Sequence, residues 1–140
     1  MEQKTYNIFI CHAWAYSRDS RLLKALLKEY PFFKWKNLSS PLYDPFLNTG
    51  SPEGKATLTG LLENNIGKSD CVIIMPGTNK IYLEWMQAEV LLAKKKAKPI
   101  ILVLPPGNTS APEFMREAAS EVVGWSAASI VAAIRKCTGN

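Results

Sequence analysis

The chain has 140 residues, of which 47% are hydrophobic and 21% charged, and a formal net charge of +5. That is enough chain for one domain, residues 1–140, with a real core, and it excludes a disordered segment and a bilayer-spanning helix. Nucleic acid is not indicated by the positive charge, because Lys94, Lys95, Lys96 and Lys98 close a helix, where cations complement the dipole, and no basic stripe is interleaved with aromatics.

In chain order the pattern alternates strand and helix. The run YNIFICHA, Tyr6 to Ala13, is apolar and β-rich, and SRDSRLLKALLKEY follows as an amphipathic helix with Leu22, Leu23, Leu26 and Leu27 on one face and Ser17 as its cap. FFKWKNL alternates as a short strand at a sheet edge. A helix from Gly54 to Ile66 precedes CVIIM, Cys71 to Met75, a fully buried strand. The helix from Ile81 to Lys98 leads into PIILVL, Pro99 to Leu104, another buried strand. APEFMREAASE then reads as a short helix, VVGW as a last strand, and SAASIVAAIRKC as a C-terminal helix capped by Ser126.

Continuous apolar strands separated by helices predict a parallel sheet covered on both faces. Five such units in this length point to a flavodoxin-like, three-layer α/β domain with strand order 2-1-3-4-5. Ligands of such sheets bind beyond the carboxyl ends of the strands, near the point where strand order reverses. Here that means the segments after Ile10, Leu38 and Met75. The second of them, SSPLYDPFLNTGSPEG, runs sixteen residues, longer than the roughly 12 of ordinary connections; Tyr43 and Phe46 make it an ordered lid rather than a floppy insertion.

The helix IYLEWMQAEVLLAKKKAK contains an oddity. Winding it at about 100° per residue puts Glu84, Gln87, Lys94, Lys95 and Lys98 on one arc and Ile81, Tyr82, Trp85, Met86, Ala88, Leu92 and Ala93 on the other. Glu89 falls near the middle of the apolar side, where a carboxylate costs several kcal/mol unless something pairs with it. From position alone, a structural ion pair and a chemical role are equally open.

The strand ends exclude several users of this fold. No carboxylate cage for magnesium can form from Cys11, His12, Ala13 and Trp14 or from Met75, Pro76, Gly77 and Thr78. There is no GxGxxG, no Walker A loop and no glycine in CHAWAYSRDS. The three cysteines, Cys11, Cys71 and Cys137, and the single histidine have no metal-ligand spacing, and odd, scattered cysteines read as reduced thiols in a cytoplasm. The start MEQKTYNIFI lacks the pattern of a signal peptide.

What remains resembles one family. YNIFICHAWAYSRD is similar to the first box of TIR domains, and WMQAE, Trp85 to Glu89, to the TIR helix in which a Trp precedes the catalytic Glu by four positions. FFKWKNLSSPLYDP, SDCVIIMPG, WMQAEVLLAKKKAKPII and EVVGW narrow the resemblance to the TIR-like proteins of bacterial Thoeris anti-phage systems, the ThsB type. SSPLYDP replaces the usual second TIR box, so lid contacts and assembly modes of animal and plant relatives do not carry over.

The resemblance implies an enzyme that cleaves NAD+ between nicotinamide and ribose. It would turn the ADP-ribose part into a diffusible, commonly cyclic, signal that activates a separate effector during infection. NAD+ would be consumed as substrate, with no resident cofactor or metal, no nucleic acid and no membrane, and with self-association possible on activation. Glu89 would be catalytic, placed at the edge of the cleft rather than in the core, and Glu84 dispensable. Cys11, His12, Trp14, Tyr43, Asp44 and Trp85 are the substrate-binding candidates. Against each stands a structural role: core packing for Trp85, turn formation for Asp44, a hydrogen-bonded strand end for His12. The rival reading is a non-catalytic TIR-like interaction adaptor, favoured by an occluded cleft.

Overall fold

The structure is a computed structural model that describes residues 4–11, 18–38, 52–76, 80–106 and 111–139, with backbone only for 18–20, 52–59 and 80–85. Its strands are β1 (Thr5–Ile10), β2 (Lys34–Asn37), β3 (Cys71–Ile74), β4 (Ile100–Val103) and β5 (Glu121–Val123). Its helices are α1 (Arg18–Glu29), α2 (Pro52–Lys68), α3 (Lys80–Lys95), α4 (Glu113–Ala118) and α5 (Ala127–Cys137).

All strand pairs are parallel and the sheet order is β2-β1-β3-β4-β5. This is the flavodoxin-like architecture that the alternating pattern predicts. Strand residues alternate between two cores. On one face Ile8, Ile10, Ile73 and Ile101 pack against Leu23 and Leu27 of α1 and Ile130 and Ile134 of α5. On the other, Phe9, Cys11, Val72 and Ile74 pack against Leu62 and Ile66 of α2, Met86 and Val90 of α3, and Met115 of α4.

Two clamps of the same design fix the register where strands enter the sheet. Asn7 donates its amide to Asp70 Oδ2 at 2.7 Å, and Asp70 returns a backbone bond to the Asn7 carbonyl at 2.6 Å. Ile100 donates its amide to Ser120 Oγ at 3.2 Å, and the Ser120 amide returns to the Ile100 carbonyl at 2.7 Å.

Several element limits differ from the sequence reading, each for a tertiary reason. Ala119, expected inside a helix, is extended at φ −71° and ψ 132°, because Ser120 must reach Ile100. The last strand ends at Val123 rather than Trp125, since the chain then turns to place Ser126 as the cap of α5. There its hydroxyl accepts the Ser129 amide at 3.3 Å, as the sequence predicts. Leu22, assigned to the apolar face of α1, is 42% exposed, whereas Leu23 and Leu27, one turn apart, form the buried stripe. The predicted Ser17 cap lies outside the described residues.

Candidate functional site

α3 runs from the carboxyl side of β3 toward the start of β4 and lays one stripe on the sheet. Met86, Val90 and Ala93 are buried at the three- and four-residue spacing of a helix face. Glu89 belongs to that stripe and has no exposed surface. The expectation of a cleft-edge position, outside the core, is therefore corrected. The reason is geometric: the stripe that buries Met86 and Val90 turns the residue between them into the same layer.

Opposite Glu89 stands Cys11, the residue immediately beyond β1. Its amide donates to the Ile73 carbonyl at 3.0 Å, continuing the β1–β3 ladder by one step. Alternation along β1 sends its side chain to the α3 face with Phe9, and it too is fully buried. Burial first, then the charge of the nearby Glu89 carboxylate and hydrogen bonding to it, push the thiol well above its ordinary range. Cys11 is thus protonated at neutral pH and stands one residue beyond the end of β1, with Glu89 beside it. Because β2 and β3 flank β1 on opposite sides, the pair sits at the reversal of strand order, where sheets of this kind bind ligands.

Among the described residues no group of three His, Cys, Asp or Glu side chains could hold a metal ion, and no helix is long and apolar enough to cross a membrane. Two grooves lie elsewhere. One of about 290 Å³ opens between α3 and α4, beside Leu91, Lys94 and Phe114. Another of about 580 Å³ lies between α2 and α3, beside Gly67 and Lys96. The latter is at the amino ends of the strands, the wrong end of the sheet for a ligand in this architecture. There Lys95 and Lys96 contact Glu63 at 3.5 and 3.3 Å, and Lys96 chiefly, then Lys95, lower its carboxyl pKa. Much of the lysine cluster is thus a helix-end ion pair.

Of the residues singled out from sequence, Glu89 and Cys11 are brought together. His12, Trp14, Tyr43 and Asp44 lie outside the described residues, and Glu84 and Trp85 are described only in their backbone. The contact between Cys11 and Glu89 was not foreseen. Its signal was present in the strand's period of two, which puts Cys11 on the face opposite Ile8 and Ile10.

A family model described as "Thoeris protein ThsB, TIR-like domain" matches residues 9–110. No curated protein matches the chain. Among solved structures it is similar to the CMP N-glycosidase BcmB of Clostridium botulinum, with 16% identity, TM-score 0.49, and coverage of 93% of this chain and 98% of that one. It is also similar to the flavoenzyme NAD(P)H:(acceptor) oxidoreductase FerB of Paracoccus denitrificans, with 18% identity, TM-score 0.43, and coverage of 88% and 75%. Neither likeness bears on chemistry.

Proposed function

The chain belongs to the TIR-like domain family of Thoeris protein ThsB, and on that premise we propose that it cleaves NAD+ and makes an ADP-ribose-derived signal for a separate defence effector. The observation that carries the reading is the fully buried Glu89 carboxylate, beside Cys11 just beyond the carboxyl end of β1 at the switch point of the sheet. A buried acid in an apolar stripe is costly to stability, and such costs concentrate where chemistry needs them.

In the proposed reaction the bond between ribose C1′ and the nicotinamide nitrogen breaks. Nicotinamide leaves as a neutral molecule with the bonding electron pair, and positive charge develops on the ribose. Glu89, held in a low-dielectric layer, stabilises that oxocarbenium-like charge more strongly than water would. Capture of C1′ by water, with loss of a proton, yields linear ADP-ribose; capture by a nucleophile of the same molecule yields a cyclic isomer. NAD+ is the substrate, and the reading needs no resident cofactor or metal. It places the protein in a cytoplasm.

The test is incubation of concentrated protein with NAD+, followed by mass spectrometry for nicotinamide and every ADP-ribose species. Glu89→Gln lowers nicotinamide release by about 10²-fold or more, while Glu84→Gln retains it.

A second reading, a non-catalytic interaction module, draws on one observation: Glu89 has no exposed surface. That reading predicts neither nicotinamide release nor NAD+ binding by calorimetry, and either result in the wild type would exclude it.

A further inference from the structure

We propose that the groove between α3 and α4 is the docking surface for a second copy of this chain, with α3 of each copy seated on α4 of the other.

The apolar part of the surface comes first. Leu91 of α3 is 68% exposed, more than any other large apolar side chain described on a helix. A single exposed leucine is ordinary, but this one borders a groove of about 290 Å³ together with Val90 of α3 and Phe114 and Ala118 of α4. The groove lies just below the range of about 300–1,000 Å³ that small-molecule sites occupy, and those sites place polar groups to orient their ligand. The buried polar side chains among the described residues, Ser69 and Glu89, do not line it. An apolar surface fits it better than a small molecule does.

Charge then selects the occupant. Lys94 stands on the α3 side of the groove and Glu117 on the α4 side, both exposed. Neither side chain takes part in an ion pair among the described residues. A uniformly basic or acidic partner would satisfy one of them and repel the other. A surface with one charge of each sign, on opposite sides of an apolar strip, is complementary to itself. In an isologous contact residue i of one copy meets residue j of the other, and j meets i. Lys94 then meets the partner's Glu117 twice over, once in each direction.

The fold supplies the remaining condition. A two-fold axis along the groove overlays α3 on the partner's α4 in register only where the two helices of one copy run the same way. They do, because each returns between parallel strands on the same face of the sheet: α3 from β3 to β4, and α4 from β4 to β5. The spacing matches as well. Leu91 precedes Lys94 by three positions and Phe114 precedes Glu117 by three, which keeps each pair on one side of its helix. Leu91 therefore reaches the partner's Phe114 where Lys94 reaches the partner's Glu117.

A contact limited to these stripes stays below about 1,200 Å², the size of weak and transient interfaces. Sedimentation velocity of the full chain from about 10 μM to about 1 mM covers the affinities that such a contact gives. The weight-average mass is expected to rise with concentration from 15.6 kDa toward twice that value. Lys94→Glu and Glu117→Lys, both at exposed positions, each replace two attractive pairs by two repulsive ones and weaken self-association by about tenfold or more. Mixed in equal amounts, the two variants restore association, since one carries two acidic groups at the groove and the other two basic ones. Leu91→Ala weakens association with the charges intact. Circular dichroism and a wild-type thermal midpoint establish that each variant is folded. A wild-type chain that stays at 15.6 kDa throughout, a dimer indifferent to both reversals, or two variants that do not associate when mixed overturns the proposal. Mass is read without NAD+, so failure here and failure of the catalytic reading are separate results.

Discussion

Asn7 and Asp70, 63 positions apart, hold each other in both directions: the Asn7 amide donates to Asp70 Oδ2 at 2.7 Å, and the Asp70 amide donates to the Asn7 carbonyl at 2.6 Å. The acceptor is a side chain in one direction and backbone in the other, so the clamp depends on an aspartate standing just before β3. Asp70→Ala leaves a partly buried amide without its charged acceptor. We expect a loss of about 1.5–3 kcal/mol in urea unfolding, with Asp70→Asn losing less. A midpoint unchanged in the alanine variant would show that water substitutes for the carboxylate.

Glu89 lies in a stripe whose other buried members are Met86, Val90 and Ala93. Replacing a buried pair as a whole by apolar side chains is commonly neutral or stabilising, whereas removing one partner costs about 3–5 kcal/mol. Glu89→Met removes one member only and is therefore expected to lower the urea midpoint as well as abolish nicotinamide release. An unchanged or raised midpoint would mean that Glu89 is held at a cost to the fold.

α3 ends in a left-handed cap occupied by alanine. Ala97 has φ +55°, the Ala97 amide bonds to Lys94 at 3.0 Å, and the Lys98 amide bonds to Ala93 at 2.9 Å. This is the Schellman pattern, in which glycine is the usual residue at the left-handed position because it has no Cβ to clash. Ala97→Gly should stabilise the protein by about 0.5–1 kcal/mol and raise the thermal midpoint accordingly. A lower midpoint would assign the alanine side chain a favourable contact larger than its strain.

Cys71 gives stability a pH dependence at the alkaline end. Burial first, then the negative charge of Asp70, raise its thiol from 9.0 to about 12. The folded state holds this proton more tightly than the unfolded state, so the contribution is complete below pH 9.0 and is lost as pH rises toward about 12. The slope is about 1.4 kcal/mol per pH unit for one group, and Cys11 acts with the same sign. Denaturation across that window should show the decline, and Cys71→Val should flatten it. An equal slope in the variant would assign the alkaline loss to other groups.

Much of this architecture was legible before any coordinates. CVIIM and PIILVL are apolar without interruption, and both are central strands with every assigned residue buried. Leu23 and Leu27, or Ile130 and Ile134, announce their helix faces by spacing alone. Limits were less legible, because they are set by partners distant in sequence. Ser120 leaves its helix to bond Ile100, and Leu22 differs from Leu23 only by where α1 rests on the sheet.

Glu89 divides the two kinds of information. Its place on the apolar side of a helix, its spacing from Trp85 and the family to which the chain belongs are all contained in the linear order of residues, since helical period and motif are local properties. That it is fully buried and that it lies beside Cys11, just beyond the end of β1, were decided only by the tertiary structure. The physical reason is that burial is a property of two surfaces. A helical stripe specifies what can be covered, but the sheet's register and the alternation of Phe9 and Cys11 against Ile8 and Ile10 determine which side chain covers it.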